Sequence, residues 1–285
     1  MAKIDIRGVK HYYEWITANS DNSRSDKPVL VFLHGWAGST RYWESTATAL
    51  CDRFDCLLYD LRGFGRSLLS EDSPEVGYEM EDYAEDLLLL LERLSLDKVW
   101  INAHSTGATV AALFAHRYPE RLERGILTCN GIFEYDRLSF AAFHLVGSYV
   151  VKFRPRWLDK LPLVDRMFMA RFLCRPIPAA QRQAFLTDYL VADHEAALGT
   201  IYTAVSEHMA LTMPKVFAEL SMPILLISGE KDQIIPAPMG KRAAALNPNI
   251  EYRMLNNTAH FPMLEDPSAY LSCLEEFVAV GVGSC

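Results

Sequence analysis

Five short runs, 29–33, 56–59, 99–101, 126–129 and 224–227, are apolar almost without interruption. A strand with one wet face alternates apolar with polar, so unbroken runs of this length belong to strands covered on both sides. Between them the spacing turns helical. Residues 42–50 form one such stretch, Tyr83, Leu87, Leu90, Leu91 and Leu94 mark a second, and 107–118, ended by Pro119, a third. Residues 239–246 and a strand at 250–255 follow, and Asp266-Pro267-Ser268 opens a final helix with an N-cap and a proline at the first helical position. Residues 4–16 read as a strand pair turning near Gly8, joined to the rest by a polar connection at 21–27. Repeated strand–helix units predict an α/β fold: a mostly parallel, twisted sheet flanked by helices.

The alternation stops at 133 and resumes at 216. The intervening residues lack strand runs and carry helical apolar patterns broken by prolines. We therefore expect a core domain from residues 1–132 and 216–285, with 133–215 inserted as a helical lid above the carboxyl ends of the strands, where ligands of open α/β sheets bind.

With 285 residues, 50% hydrophobic and 22% charged, the chain has the composition of an ordinary globular protein with a large core. Its formal charge of −8 argues against a nucleic-acid partner, which calls for a basic face. Cys51, Cys56, Cys129, Cys174, Cys273 and Cys285 show no metal-type spacing and are expected as buried free thiols. The N-terminus lacks the apolar stretch of a secretory signal and no segment is long enough to span a bilayer, so a cytoplasmic location is expected. Gly63-Phe64-Gly65 and His34 to Gly38 lack the G-x-G-x-x-G pattern and no Walker-type lysine turn is present, so neither a nucleotide cofactor nor a metal is expected.

Where the third run ends, Ala103-His104-Ser105-Thr106-Gly107 sets a serine between a strand and a small-residue helix. A tight strand-to-helix turn lifts a serine Oγ above the sheet and aims backbone N–H groups at one point, provided the residues two before and two after are small. The G-x-S-x-G pattern has glycine at both places. Ala103 departs from it by one methyl, and an ordinary helix N-cap fits the same five residues. Three other segments follow strands: His34-Gly35-Trp36-Ala37-Gly38, Gly229-Glu230-Lys231-Asp232, and Asn257 to Pro262 around His260.

Taken with Asp60-Leu61-Arg62-Gly63-Phe64-Gly65-Arg66-Ser67, the Asp-x-x-x-Pro from Asp232 to Pro236, and Glu265-Asp266-Pro267 after His260, these segments resemble the α/β-hydrolase family over nearly the whole chain apart from the insertion. The chain order serine, acid, histidine is also the family's. The resemblance implies Ser105 as nucleophile, His260 as base and Asp232 as the group orienting the imidazole. It implies the backbone N–H groups of Trp36 and Thr106 as the oxyanion hole. Acyl transfer from a small-molecule carboxylic ester or thioester, with no cofactor, is the implied reaction. Carbon–carbon bond hydrolysis, cofactor-free perhydrolysis and a hydrolase-like ligand receptor remain alternatives, because the same three side chains serve each.

Phe140, Phe143, Phe168 and Phe172 are expected to face the substrate pocket, as is His34, which also suits bracing of its own turn. His104 is expected against the helix behind the sheet, and Asp60 in an ion pair with Arg62 or Arg66. Between Lys152 and Arg182 eight Lys and Arg face only Asp159 and Asp165. That local field suits an anionic substrate or an acidic carrier domain, or simply a solvated helix surface.

Overall fold

The computed structural model describes residues 2–282. Its strands are β1 (Ala2–Ile6), β2 (Val9–Ile16), β3 (Val29–Leu33), β4 (Asp55–Tyr59), β5 (Val99–His104), β6 (Leu122–Thr128), β7 (Ile224–Gly229) and β8 (Ile250–Leu255). They form one sheet in the order β1-β2-β4-β3-β5-β6-β7-β8. The β1–β2 and β2–β4 pairings are antiparallel and all others parallel. The helices are α1 (Glu44–Leu50), α2 (Met80–Arg93), α3 (Thr106–Arg117), α4 (Arg137–Lys152), α5 (Val164–Met169), α6 (Ala179–Val191), α7 (His194–Ala204), α8 (Glu207–Glu219), α9 (Ala237–Ala244), α10 (Pro262–Glu265) and α11 (Pro267–Val282).

The apolar runs are explained by two cores, one on each face. Val31, Leu33, Leu57, Ile101 and Leu226 point into the core shared with α2, α3 and α8. Their neighbours Leu30, Phe32, Leu58, Leu225 and Ile227 point the other way, toward α1 and α11. With a side-chain period of two, only a strand covered on both faces needs apolar residues at every position. Each such Leu or Ile contributes roughly 1.5–3 kcal/mol by leaving water.

Element boundaries moved where caps or edges decide them. Residues 40–43 form a 3-10 turn, not α-helix, because the Ser39 hydroxyl accepts the Arg41 N–H and starts the turn there. β6 begins at Leu122, four residues before its apolar run, and stops before Cys129, whose φ of 51° takes it out of the strand.

Helices α4 to α8 lie between β6 and β7, in the interval expected to be helical. Residue 215 falls inside α8, which packs on α3 and α9 and continues to Glu219. Buried polar contacts tie the insertion to the sheet. The Trp36 indole N–H donates to the Ala197 carbonyl (2.9 Å), Ser39 Oγ donates to Asp188 (2.5 Å), and the Asp193 N–H donates to the Gly63 carbonyl (2.9 Å). Among the described residues no helix is long and apolar enough to cross a membrane.

The cysteine expectation holds only in part. Cys56 and Cys129 are buried, but Cys51 and Cys273 are half-buried and Cys174 is exposed on a loop of the insertion. Cys285 lies outside the described residues.

Candidate active site

Ser105 joins β5 to α3 with φ 53° and ψ −120°, a conformation non-glycine residues rarely adopt. The turn closes tightly: a Cβ on Gly107 would stand 2.4 Å from the His34 carbonyl oxygen, so no larger residue fits there. The tolerated alanine is at 103, where the backbone still belongs to β5. Ser105 itself is almost wholly buried, at 8% exposure, and its Oγ opens onto a cavity.

The imidazole of His260 spans the gap between Ser105 and Asp232. Its Nε2 lies 3.0 Å from Ser105 Oγ and its Nδ1 lies 2.8 Å from Asp232 Oδ2. These three residues come from the ends of β5, β7 and β8, brought together because the strands are parallel neighbours through β6. Asp232 is held in turn: its Oδ1 accepts the N–H groups of Ile234 (2.8 Å) and Ile235 (3.1 Å), leaving Oδ2 for the imidazole. Burial pushes the Asp232 carboxyl up, but the His260 charge and hydrogen bond and the two backbone donors outweigh it, and the net shift is down. The carboxylate is therefore ionised opposite His260. Glu230, the nearby rival, instead accepts the Asn257 N–H.

Trp36 and Thr106, the two residues expected to supply the oxyanion hole, also stand at this cavity. The Thr106 N–H belongs to the first turn of α3, where a helix supplies no acceptor and the macrodipole favours negative charge. Trp36 follows Gly35, whose Cβ would stand 3.1 Å from Ser105 Cβ, and both Trp36 and Thr106 line the cavity.

The cavity is about 550 Å³ and is walled by both the sheet's loops and the insertion. Phe140 and Phe143 of α4, Phe172, Phe185 of α6 and Ile201 of α7 line one side, and Ile234, Ile235 and Met239 the other. Two of the five pocket residues expected from sequence stand elsewhere. Phe168 packs among Phe172, Phe185 and Tyr189 behind the wall. His34 is fully buried, its Nδ1 donating to the Gly35 carbonyl (2.8 Å) and its Nε2 accepting the Leu61 N–H (2.9 Å), so it braces its turn. Burial lowers its pKa and keeps it neutral.

His104 also differs from expectation. It does not face the helix behind the sheet but joins two loops: Nδ1 accepts from the Tyr42 hydroxyl (3.0 Å), which itself accepts the Gly35 N–H, and Nε2 donates to the His260 carbonyl. Burial, then the neighbouring His260, pushes its pKa well below the usual imidazole value. Asp60 pairs with Arg66 (2.8 Å), while Arg62 goes to Asp86 (2.7 Å), a partner on α2 that local spacing does not reveal. Glu265 accepts from the N–H groups of Cys174, Arg175, Ala259 and Phe261, anchoring the His260 loop to the insertion. Its place five residues after His260 was the available signal. His104, Cys129 and His260 cluster within 4.8 Å, but the ring nitrogens already have hydrogen-bond partners and burial pushes the Cys129 thiol up, so the group is a packing unit.

A serine at a strained strand-to-helix turn, over a parallel sheet interrupted by helices, defines the α/β-hydrolase architecture. A family model described as alpha/beta hydrolase fold matches residues 28–166, and the chain has that fold. It is similar to an uncharacterized protein of Mycobacterium tuberculosis (26% identical; 88% of this chain, 75% of the relative). It is also similar to 2-(acetamidomethylene)succinate hydrolase of Mesorhizobium japonicum (23% identical; 88% of each). Among solved structures, a thermophilic esterase from Thermogutta terrifontis superposes with a TM-score of 0.77 at 22% identity, covering 98% of both chains.

Proposed function

We propose that this chain is a serine hydrolase acting on carboxylic esters or thioesters of small to medium apolar acyl compounds, with 133–215 serving as its lid. The observation that carries the reading is the unbroken chain of contacts from Asp232 through His260 to Ser105 Oγ. A serine hydroxyl is a weak nucleophile until an imidazole takes its proton, and a carboxylate on the other ring nitrogen fixes the tautomer and stabilises the imidazolium. Ser105 Oγ attacks the acyl carbonyl while its proton passes to His260 Nε2. The N–H groups of Trp36 and Thr106 bind the oxyanion. Collapse expels the alcohol or thiol, which takes the proton from His260, leaving the acyl group on Ser105. Water then attacks that ester, giving its proton to His260, and the second collapse returns the proton to Ser105 as the carboxylic acid leaves.

The apolar walls from α4, α6 and α7 support an apolar acyl portion, and a cavity of about 550 Å³ suits a small to medium ligand. The test is labelling by a fluorophosphonate probe together with turnover of short and long acyl esters and thioesters, comparing the native chain with Ser105→Ala. We expect labelling at Ser105, and loss of turnover by about a million-fold in the variant. Folded native protein that resists the probe, yet is thermally stabilised by an apolar ester without turning it over, would show a receptor instead.

A further inference from the structure

Helix α4 is apolar on both faces. Its inner face holds Phe140, Gly147 and Val151, with Gly147 pressed against Ile201 of α7. Its outer face carries Leu138, Leu145, Val146, Tyr149 and Val150, all exposed, with Leu138 at 81% and Tyr149 at 65%. Large apolar side chains exposed side by side in this number mark an interaction surface, and only the inner face of α4 is buried. The exposure continues past the helix end through Phe153 (68%) and Trp157 (54%). Arg154 fixes that corner by donating to the carbonyls of Val151, Tyr189 and Ala192, so both aromatic side chains leave a braced backbone.

The chain from α4 through the corner and into α5 is rich in cations, Lys152 and Arg156 at the corner itself, with the exposed acids Glu134 and Asp136 confined to the other end of α4. Eight Lys and Arg occur between Arg137 and Arg175, against two Asp, on a chain whose formal charge is −8. Two of them are committed, Arg154 to carbonyls and Arg175 to Asp266, while Asp165 is taken by Arg182 from outside the stretch. Lys152, Arg156, Lys160 and Arg166 remain exposed.

We propose that the outer face of α4 and the corner at 152–157 form a docking surface for an anionic lipid bilayer. The occupant is chosen by the combination of features. Apolar side chains with Tyr149 and Trp157 match the boundary between headgroups and acyl chains, and the cations at the corner match negative headgroups. An acidic protein domain would pair with the cations but leave the apolar helix face without a complement. A second copy of this chain, packed face to face, would set Lys152, Arg156 and Lys160 against their own counterparts. Phe143 joins this surface to the catalytic cavity, since it is exposed and also lines the cavity wall. Binding itself does not rest on the proposed hydrolase activity.

The experiment is flotation of the full chain with phosphatidylcholine vesicles, with and without about 30 mol% phosphatidylglycerol, at low and high salt. Monomeric state is checked by sedimentation. We expect flotation with the anionic vesicles only, weakened by salt. Lys152→Glu or Arg156→Glu should each lower partitioning about fivefold or more, and Phe153→Ser with Trp157→Ser should abolish it. These side chains are exposed, so the variants should keep the native circular dichroism and melting temperature; Tyr149→Ser on α4 is an independent second probe. Three results overturn the proposal: no flotation of a folded monomer, equal flotation with neutral vesicles that survives charge reversal, or a stable dimer that buries this face.

Discussion

His104 Nε2 donates to the main-chain carbonyl oxygen of His260 across 2.7 Å, so the residue before Ser105 holds the backbone of the residue that contacts Ser105 Oγ. The same ring accepts from Tyr42, which holds Gly35 beside the proposed oxyanion hole. One neutral buried imidazole thereby sets the relative positions of two loops that share no sequence neighbourhood.

Tyr42→Phe removes the hydroxyl at the centre of this relay and leaves His104 Nδ1 and the Gly35 N–H buried without partners. The expected loss is about 2–4 kcal/mol of unfolding free energy, read from urea titration. Turnover should fall with it, because Gly35 precedes Trp36.

Glu265→Gln keeps shape but confronts four backbone donors with an amide. We expect a loss of about 2–3 kcal/mol in stability. If the proposed mechanism is right, kcat for a soluble ester falls while KM changes little, since Glu265 positions His260 and does not line the cavity. An unchanged kcat would contradict that positioning.

Gly107→Ala forces a methyl to 2.4 Å from the His34 carbonyl. Backbone on both sides leaves little room to yield, so we expect more than about 3 kcal/mol of destabilisation, seen as a lowered urea midpoint or loss of soluble protein. Ala103→Gly removes one buried methyl and should cost about 1 kcal/mol by the same measurement.

His11 is fully buried against Tyr59, and burial pushes its pKa down from 6.5 to about 3. The unfolded chain takes up a proton below 6.5, whereas the folded protein resists until about 3. Its stabilising contribution is therefore complete above 6.5 and is lost as pH falls through that window. In melts from pH 7 to about pH 4, His11→Phe should show a shallower decline than the native chain, although less stable at pH 7. Parallel slopes would show that His11 does not titrate in this way.

The sheet was legible in the amino-acid order because covering a strand on both faces requires apolar side chains at every position, and 29–33 and 224–227 satisfy that without help from distant residues. The Ser105 turn was legible through the small residues Ala103 and Gly107 that flank the serine, although the space at Gly107 is closed by the remote Leu33 and His34. Where partners are remote, local pattern is silent. Arg62 could equally have met Asp60 two residues away, and only the placement of α2 gave it Asp86. Phe140 and Phe168 are the same side chain on neighbouring helical patterns, yet one faces the cavity and the other packs behind its wall, because the angle at which each helix lies on its neighbours sets which face is inward. Residue types and periodicities are properties of short segments, whereas the meeting of Ser105, His260 and Asp232 at 3 Å, and the uncovered outer face of α4, arise from how far-apart segments pack.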